Sequence, residues 1–141
     1  MVYQFSLPSL LADALIQEDV RPLRRWLLSV DAPLSGTTFF NFTASHDGIG
    51  ISPLEGLVHQ ERIEALITAT EKSGGRISVR RTSNETDVPY ELNVTYRDLL
   101  GTDQDLIVDR FILSQAVMLS LAGIPGIYFH SLVGSGNDIS G

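Results

Sequence analysis

Cysteine is absent from the 141 residues, which excludes a disulfide framework and any thiolate metal site. Histidine is scarce, with His46, His59 and His130 far apart, and the carboxylates are not grouped at ligand spacing. No metal ion and no cofactor is therefore expected. An excess of positive charge is also lacking. Ten basic residues against seventeen acidic ones leave a net charge of −7. That sign disfavours nucleic-acid backbones and anionic membranes, which repel it. Met1-Val2-Tyr3-Gln4 shows no basic segment ahead of an apolar stretch, so no secretory signal is read there and the cytoplasm is the expected location. Internal repeats and low-complexity tracts are missing too. Three Asn-x-Thr triplets, at Asn41, Asn84 and Asn93, read as chance matches without an export signal.

What is present is a hydrophobic content of 43%, enough for one domain with a packed interior. Val2 to Leu7 alternates apolar and polar and meets Pro8, which predicts a short strand. Leu10, Leu11, Ala14 and Leu15 form the stripe of a first helix, and a second runs from about Pro22 with Arg21, Arg24 and Arg25 towards solvent. Thr37 to Thr43 suits a strand covered on both faces. Ser52-Pro53-Leu54-Glu55 has the form of a capped helix start. Ile63, Leu66, Ile67 and Thr70 predict a helix over 60–72, stopped at Gly74-Gly75. Arg76 to Arg80 alternates like a half-exposed strand, and 82–87 has the composition of a mobile loop leading into Pro89-Tyr90-Glu91-Leu92-Asn93. The stretch 104–122 is apolar on several faces and predicts a largely buried helix closed by Gly123. Ile124 to Phe129 reads as a third buried strand. The order is that of parallel βα units with one mixed excursion.

Polar residues at the exit of the second strand, Ser45-His46-Asp47, are candidates for a site, although a dipeptide of this kind also serves as a surface turn capping local amides. Tyr90 reads either as a packed anchor with an exposed hydroxyl or as a ligand contact. His130 follows an apolar strand and could face the mouth of a site, with a hydrogen-bonded structural histidine as the favoured reading, and His59 reads as ordinary surface. Gly134-Ser135-Gly136-Asn137-Asp138 lacks the lysine of a phosphate-binding loop.

Phe40-Asn41-Phe42-Thr43-Ala44-Ser45-His46-Asp47-Gly48-Ile49-Gly50 resembles the fourth signature region of the α-amylase superfamily, glycoside hydrolase family 13. The form Ser-His-Asp-Gly-Ile-Gly, with Pro53-Leu54-Glu55-Gly56-Leu57, resembles the sucrose-phosphorylase-like and glucosylglycerate-phosphorylase-like group. Tyr3 to Pro8 is similar to the sixth strand of that barrel, and Ala122 to Leu132 to its eighth. The resemblance implies an α/β fold, a partial (β/α)8 TIM barrel of strands six to eight, with a small α+β insertion after the seventh. The implied divisions are 1–50, 51–110 for the insertion and 111–141.

The same resemblance assigns Asp47 as a transition-state stabiliser and His46 as a sugar contact. It places Tyr90 and Glu91 at the acceptor subsite. Sucrose phosphorylases typically carry Gln where Glu91 stands, a departure that points away from sucrose towards glucosylglycerate and similar glucosides. A retaining mechanism needs two carboxyl groups about 5–5.5 Å apart, and the family draws them from the fourth and fifth strands. The segment is therefore expected to be inactive alone as part of a retaining glucoside phosphorylase, whose partners are a glucoside and phosphate. A free-standing carbohydrate- or protein-binding module is the alternative. Strands with buried-type sequences leave open edges, so an oligomer, a domain swap or a rearranged sheet is expected.

Overall fold

The computed structural model describes residues 1–101 and 105–138. Strands β1 (Val2–Tyr3), β2 (Phe39–Phe42) and β6 (Ile124–Gly126) form one sheet, and β3 (Ile49–Gly50), β4 (Arg76–Arg81) and β5 (Asp87–Asn93) form a second. In the first sheet both pairings are parallel, with Val2 opposite Phe39 and Phe42 opposite Gly126. Parallel neighbours need crossovers. The first crossover is α1 (Ser6–Ile16) with α2 (Arg21–Ser29). The second contains the whole antiparallel sheet, α3 (Gln60–Lys72), the single turn α4 (Tyr96–Leu99) and α5 (Ile107–Ser120). A last turn, α6 (Phe129–Val133), follows β6.

The helix α1 sits at the centre. Leu7, Leu10 and Leu11 pack in one continuous cluster with Ile49, Leu54, Leu66, Leu92 and Leu99, so this crossover helix shares a core with the antiparallel sheet. Tyr96 is buried in it, and its hydroxyl donates to Pro8 O at 2.8 Å, which satisfies a polar group that burial would otherwise penalise. The β2 strand is tied to the end of α5 by Asn41, whose amide donates to Leu121 O and Ala122 O at 3.4 and 3.2 Å. Gly123 has φ +141, and a Cβ there would stand 2.8 Å from the Asn41 amide nitrogen. Only glycine fits this junction.

The structure departs from several sequence-based expectations. The first strand stops at Tyr3 because Leu7 N bonds Gln4 O and the helix begins at Ser6; Pro8 falls in its first turn, where no N–H is needed. At Ser52–Leu54 there is a 3-10 turn with no side-chain cap. Residues 82–86 close a tight β4–β5 hairpin: Thr82 N and Thr82 Oγ1 both donate to Thr86 O, at 2.9 and 3.0 Å. The Pro89–Asn93 stretch is the central strand of the second sheet, with the proline accommodated at a register shift opposite Ser78 and Val79. Helix α5 begins at Ile107 and is not largely buried. Val108, Ile112, Leu113 and Leu119 are about half exposed, and so is Ile124 in β6, because no described element packs on that flank. Part of the expected helix, residue 104, lies outside the described residues.

Candidate functional site

The strand β2 delivers its C-terminal end into a tight turn in which Ser45 bridges Gly48 and the Ser45 hydroxyl accepts Asp47 N at 3.3 Å. Gly48 has φ +103, and a Cβ there would lie 2.6 Å from Leu92 O. The backbone thus presses directly on β5, and His46 and Asp47 are pushed outward. Their side chains are 79% and 69% exposed and touch each other, Nε2 to Oδ1, at 3.1 Å. They are presented to solvent at the carboxyl end of a parallel strand, where convergent groups bind ligands in α/β folds.

Two cavities meet at this turn. One, of about 440 Å³, is walled by Tyr3, Phe5, Phe40 and Phe42 and edged by His46 and Asp47. Its rings form a continuous aromatic floor, with centroids 5.0 Å apart for Tyr3 and Phe40 and 5.8 Å for Phe40 and Phe42. A cleft that sets an aromatic platform beside a carboxylate and an imidazole suits a polyhydroxylated ring, whose C–H faces pack on aromatics while its hydroxyls reach the polar rim. The other cavity, of about 460 Å³, lies across His46 and is lined by Arg76, Asn93, Arg97, His130 and Asn137. His130 is exposed and held by ring contacts with Tyr128 at 5.3 Å and Phe129 at 5.9 Å. That corrects the hydrogen-bonded placement expected for it.

Tyr90 and Glu91 line neither cavity. The β3–β5 pairing sets Glu91 opposite Gly50. Its carboxyl is pushed above the ordinary value of 4.5, first by desolvation and then by the negative charge of Asp47, while a hydrogen bond from Ser78 opposes the shift. Asp47 and Glu91 therefore sense each other although 44 positions separate them. Tyr90 contributes its carbonyl, which accepts Ile51 N at 2.9 Å. Among the described residues no group of three or more His, Asp or Glu is placed to hold a metal ion, and no described helix is long and apolar enough to cross a membrane.

The raised Glu91 gives a testable sign. A carboxyl whose folded value exceeds its unfolded one binds its proton more tightly when folded, so its ionisation opposes folding as pH rises above 4.5. In Asp47→Asn the second cause disappears and the first remains. Carbon-detected NMR of the Glu91 carboxyl should show its titration move to lower pH without reaching the ordinary value; an unmoved titration would show that the two groups do not interact.

No family profile matches the chain. A glucosylglycerate phosphorylase of Spirochaeta thermophila is 46% identical over 140 residues, covering 97% of this chain and 24% of the relative. A glucosylglycerate phosphorylase of Escherichia coli is 43% identical, covering 100% of this chain and 26% of that protein. Among solved structures, the sucrose 6F-phosphate phosphorylase of Thermoanaerobacter thermosaccharolyticum superposes with a TM-score of 0.79 at 25% identity, over 96% of this chain and 27% of that one. The chain is a homologue of the glucoside phosphorylases of glycoside hydrolase family 13. This phosphorylase homologue spans about a quarter of the length of the curated relatives it matches. Its α/β arrangement is shared with part of the phosphorylase fold.

Sequence reasoning missed the aromatic floor, because Tyr3 and Phe5 read only as strand residues and nothing local shows that Phe40 and Phe42 join them. It also missed Arg76 and Arg97, which carry no motif.

Proposed function

We propose that the chain is a segment of a retaining glucoside phosphorylase, with β1, β2 and β6 as barrel strands six, seven and eight. Residues 51–110 form the insertion that follows the seventh strand, between 1–50 and 111–141. Asp47 stabilises the oxocarbenium-like transition state by placing negative charge beside the sugar ring. His46 hydrogen-bonds the same sugar. Tyr90 and Glu91 belong to the acceptor side, and the glucoside is glucosylglycerate or a close analogue, in keeping with the names of the relatives above 40% identity. The nucleophile and the acid/base belong to a part of the barrel outside these 141 residues, so the chain alone does not turn over substrate. The cytoplasm is its location, and the uncovered apolar flank of α5 and β6 drives self-association of the isolated chain.

One observation carries this reading. The match to phosphorylases runs the length of the chain, and within it His46 and Asp47 stand at the mouth end of a parallel strand. The experiment is a graft: these 141 residues replace the homologous stretch of the Spirochaeta thermophila enzyme. Release of glucose 1-phosphate from glucosylglycerate and phosphate by the graft is the expected result. A folded graft without that activity overturns the proposal.

A further inference from the structure

We propose that the cavity walled by Arg76 and Arg97 binds a small oxyanion, a carboxylate or a phosphate, next to His46. The inference rests on the reading that this chain handles a glucoside and phosphate, and it names the group that the second cavity holds.

The chemistry of the walls points to an anion. In a chain with seventeen acidic residues against ten basic ones, this cavity gathers two arginines and two imidazoles, against Asp138 as the acidic residue of its lining. Arg76 has no carboxylate within ion-pair distance among the described residues. Arg97 has one loose contact, Nη1 to Asp98 Oδ1 at 3.7 Å, and the other oxygen of Asp98 accepts Asn137 N at 2.5 Å. Both guanidinium groups thus keep donors for a ligand, and the guanidinium fork matches carboxylate and phosphate oxygens in pairs.

The frame is built before any ligand arrives. Asn137 staples the end of α3 to α4: its side-chain oxygen accepts Thr95 N at 2.7 Å, its amide donates to Ser73 O at 2.8 Å, and its backbone N bonds Asp98. Arg76 leads β4 directly after the turn that ends α3, and Arg97 lies in α4, so the staple fixes the elements that carry both arginines. Gly136 leaves room for this: a Cβ there would come within 3.1 Å of Arg97 Nη1. A volume of about 460 Å³ lies within the roughly 300–1,000 Å³ of small-molecule sites. Because His46 borders both cavities, an anion held here lies beside the polar rim where the sugar would sit. The same oxygens are offered by the carboxylate of a glycerate-like acceptor and by inorganic phosphate.

The test is a titration of the isotope-labelled 141-residue chain with inorganic phosphate, with glycerate and with chloride at equal ionic strength, followed through amide and arginine Nε–Hε signals. Saturable shifts at Arg76, Thr95, Arg97 and Asn137 with phosphate or glycerate, and none with chloride, are expected. Saturation by phosphate alone assigns a phosphate subsite; saturation by glycerate alone assigns a carboxylate subsite. Arg76→Gln, at an exposed position with no ion partner among the described residues, should weaken binding by about tenfold, the order of one charge-assisted pair of bonds. Adding Arg97→Gln should abolish it. No saturable response to either oxyanion, or unchanged affinity in Arg76→Gln, overturns the proposal. Because no sugar is present, a graft that fails to release glucose 1-phosphate while these shifts persist would sink the phosphorylase reading and leave the anion site standing.

Discussion

Arg62→Ala should lower the unfolding free energy by about 3–5 kcal/mol, the usual cost of stripping the partner from a buried charge. Asp13 lies on α1 with its side chain fully buried, and Arg62 reaches it from α3. The Arg62 Nε donates to both Asp13 oxygens at 2.9 Å, and Nη2 adds a third bond at 2.8 Å. Nη1 goes to Asp19 Oδ2 at 2.9 Å, and Nη2 also reaches Asp19 O at 3.2 Å. One guanidinium therefore joins α1 to α3 and to the loop that follows α1.

Burial already raises the Asp13 carboxyl above its ordinary value, with Arg62 pulling it back; without Arg62 it must rise further. A raised folded value means that protonation relieves the folded state, so the deficit should be largest at neutral pH and shrink on acidification. Asp19 is held well below the carboxylate range chiefly by Arg21, a contact present in both proteins, so it largely cancels in the difference. Urea denaturation at neutral and mildly acid pH reads both effects. Arg62→Lys should recover only part of the loss, since an ammonium cannot supply the fork. A change below about 1 kcal/mol, the size of an exposed pair, would mean that the two helices hold together without this ion pair.

In the graft described above, Asp47→Asn should cut kcat/KM by about 10²–10³-fold, the effect of removing one charge-stabilising group from a transition state. The side chain is 69% exposed and its partner His46 79%, so the fold does not depend on it, and the loss should fall on kcat more than on KM. Unchanged thermal unfolding would separate this from a folding defect. A loss below tenfold would remove Asp47 from the chemistry.

Local pattern and nonlocal contact divide what could be read in advance. Helix α3 occupies Gln60–Lys72 with Ile63, Leu66 and Thr70 buried, as its 3.6-residue spacing predicts. Arg21, Arg24 and Arg25 are exposed on α2, because polar and apolar residues sort by face within one element. The burial of α5 was misjudged for a physical reason: apolar spacing shows that a surface can be covered, and not that a neighbour is there to cover Ile112 or Leu113. The 82–87 stretch is polar like a mobile loop, yet the Thr82–Thr86 bonds close it into a hairpin, a pairing that composition does not encode. The place of His46 and Asp47 at the exit of β2 is legible because strand and turn run consecutively. The Asp13–Arg62 pair spans 49 positions, and the nearness of Glu91 to Asp47 comes from strand register; neither leaves a local signal.

The direct test of the central claim is an assay of the 141-residue chain by itself for glucose 1-phosphate from glucosylglycerate and phosphate. The expected result is no release above a blank, because the proposed function assigns the attacking and protonating carboxyls to residues outside these 141. Release that disappears in Asp47→Asn or Glu91→Gln would contradict it, and would make those two carboxylates an active pair in their own right.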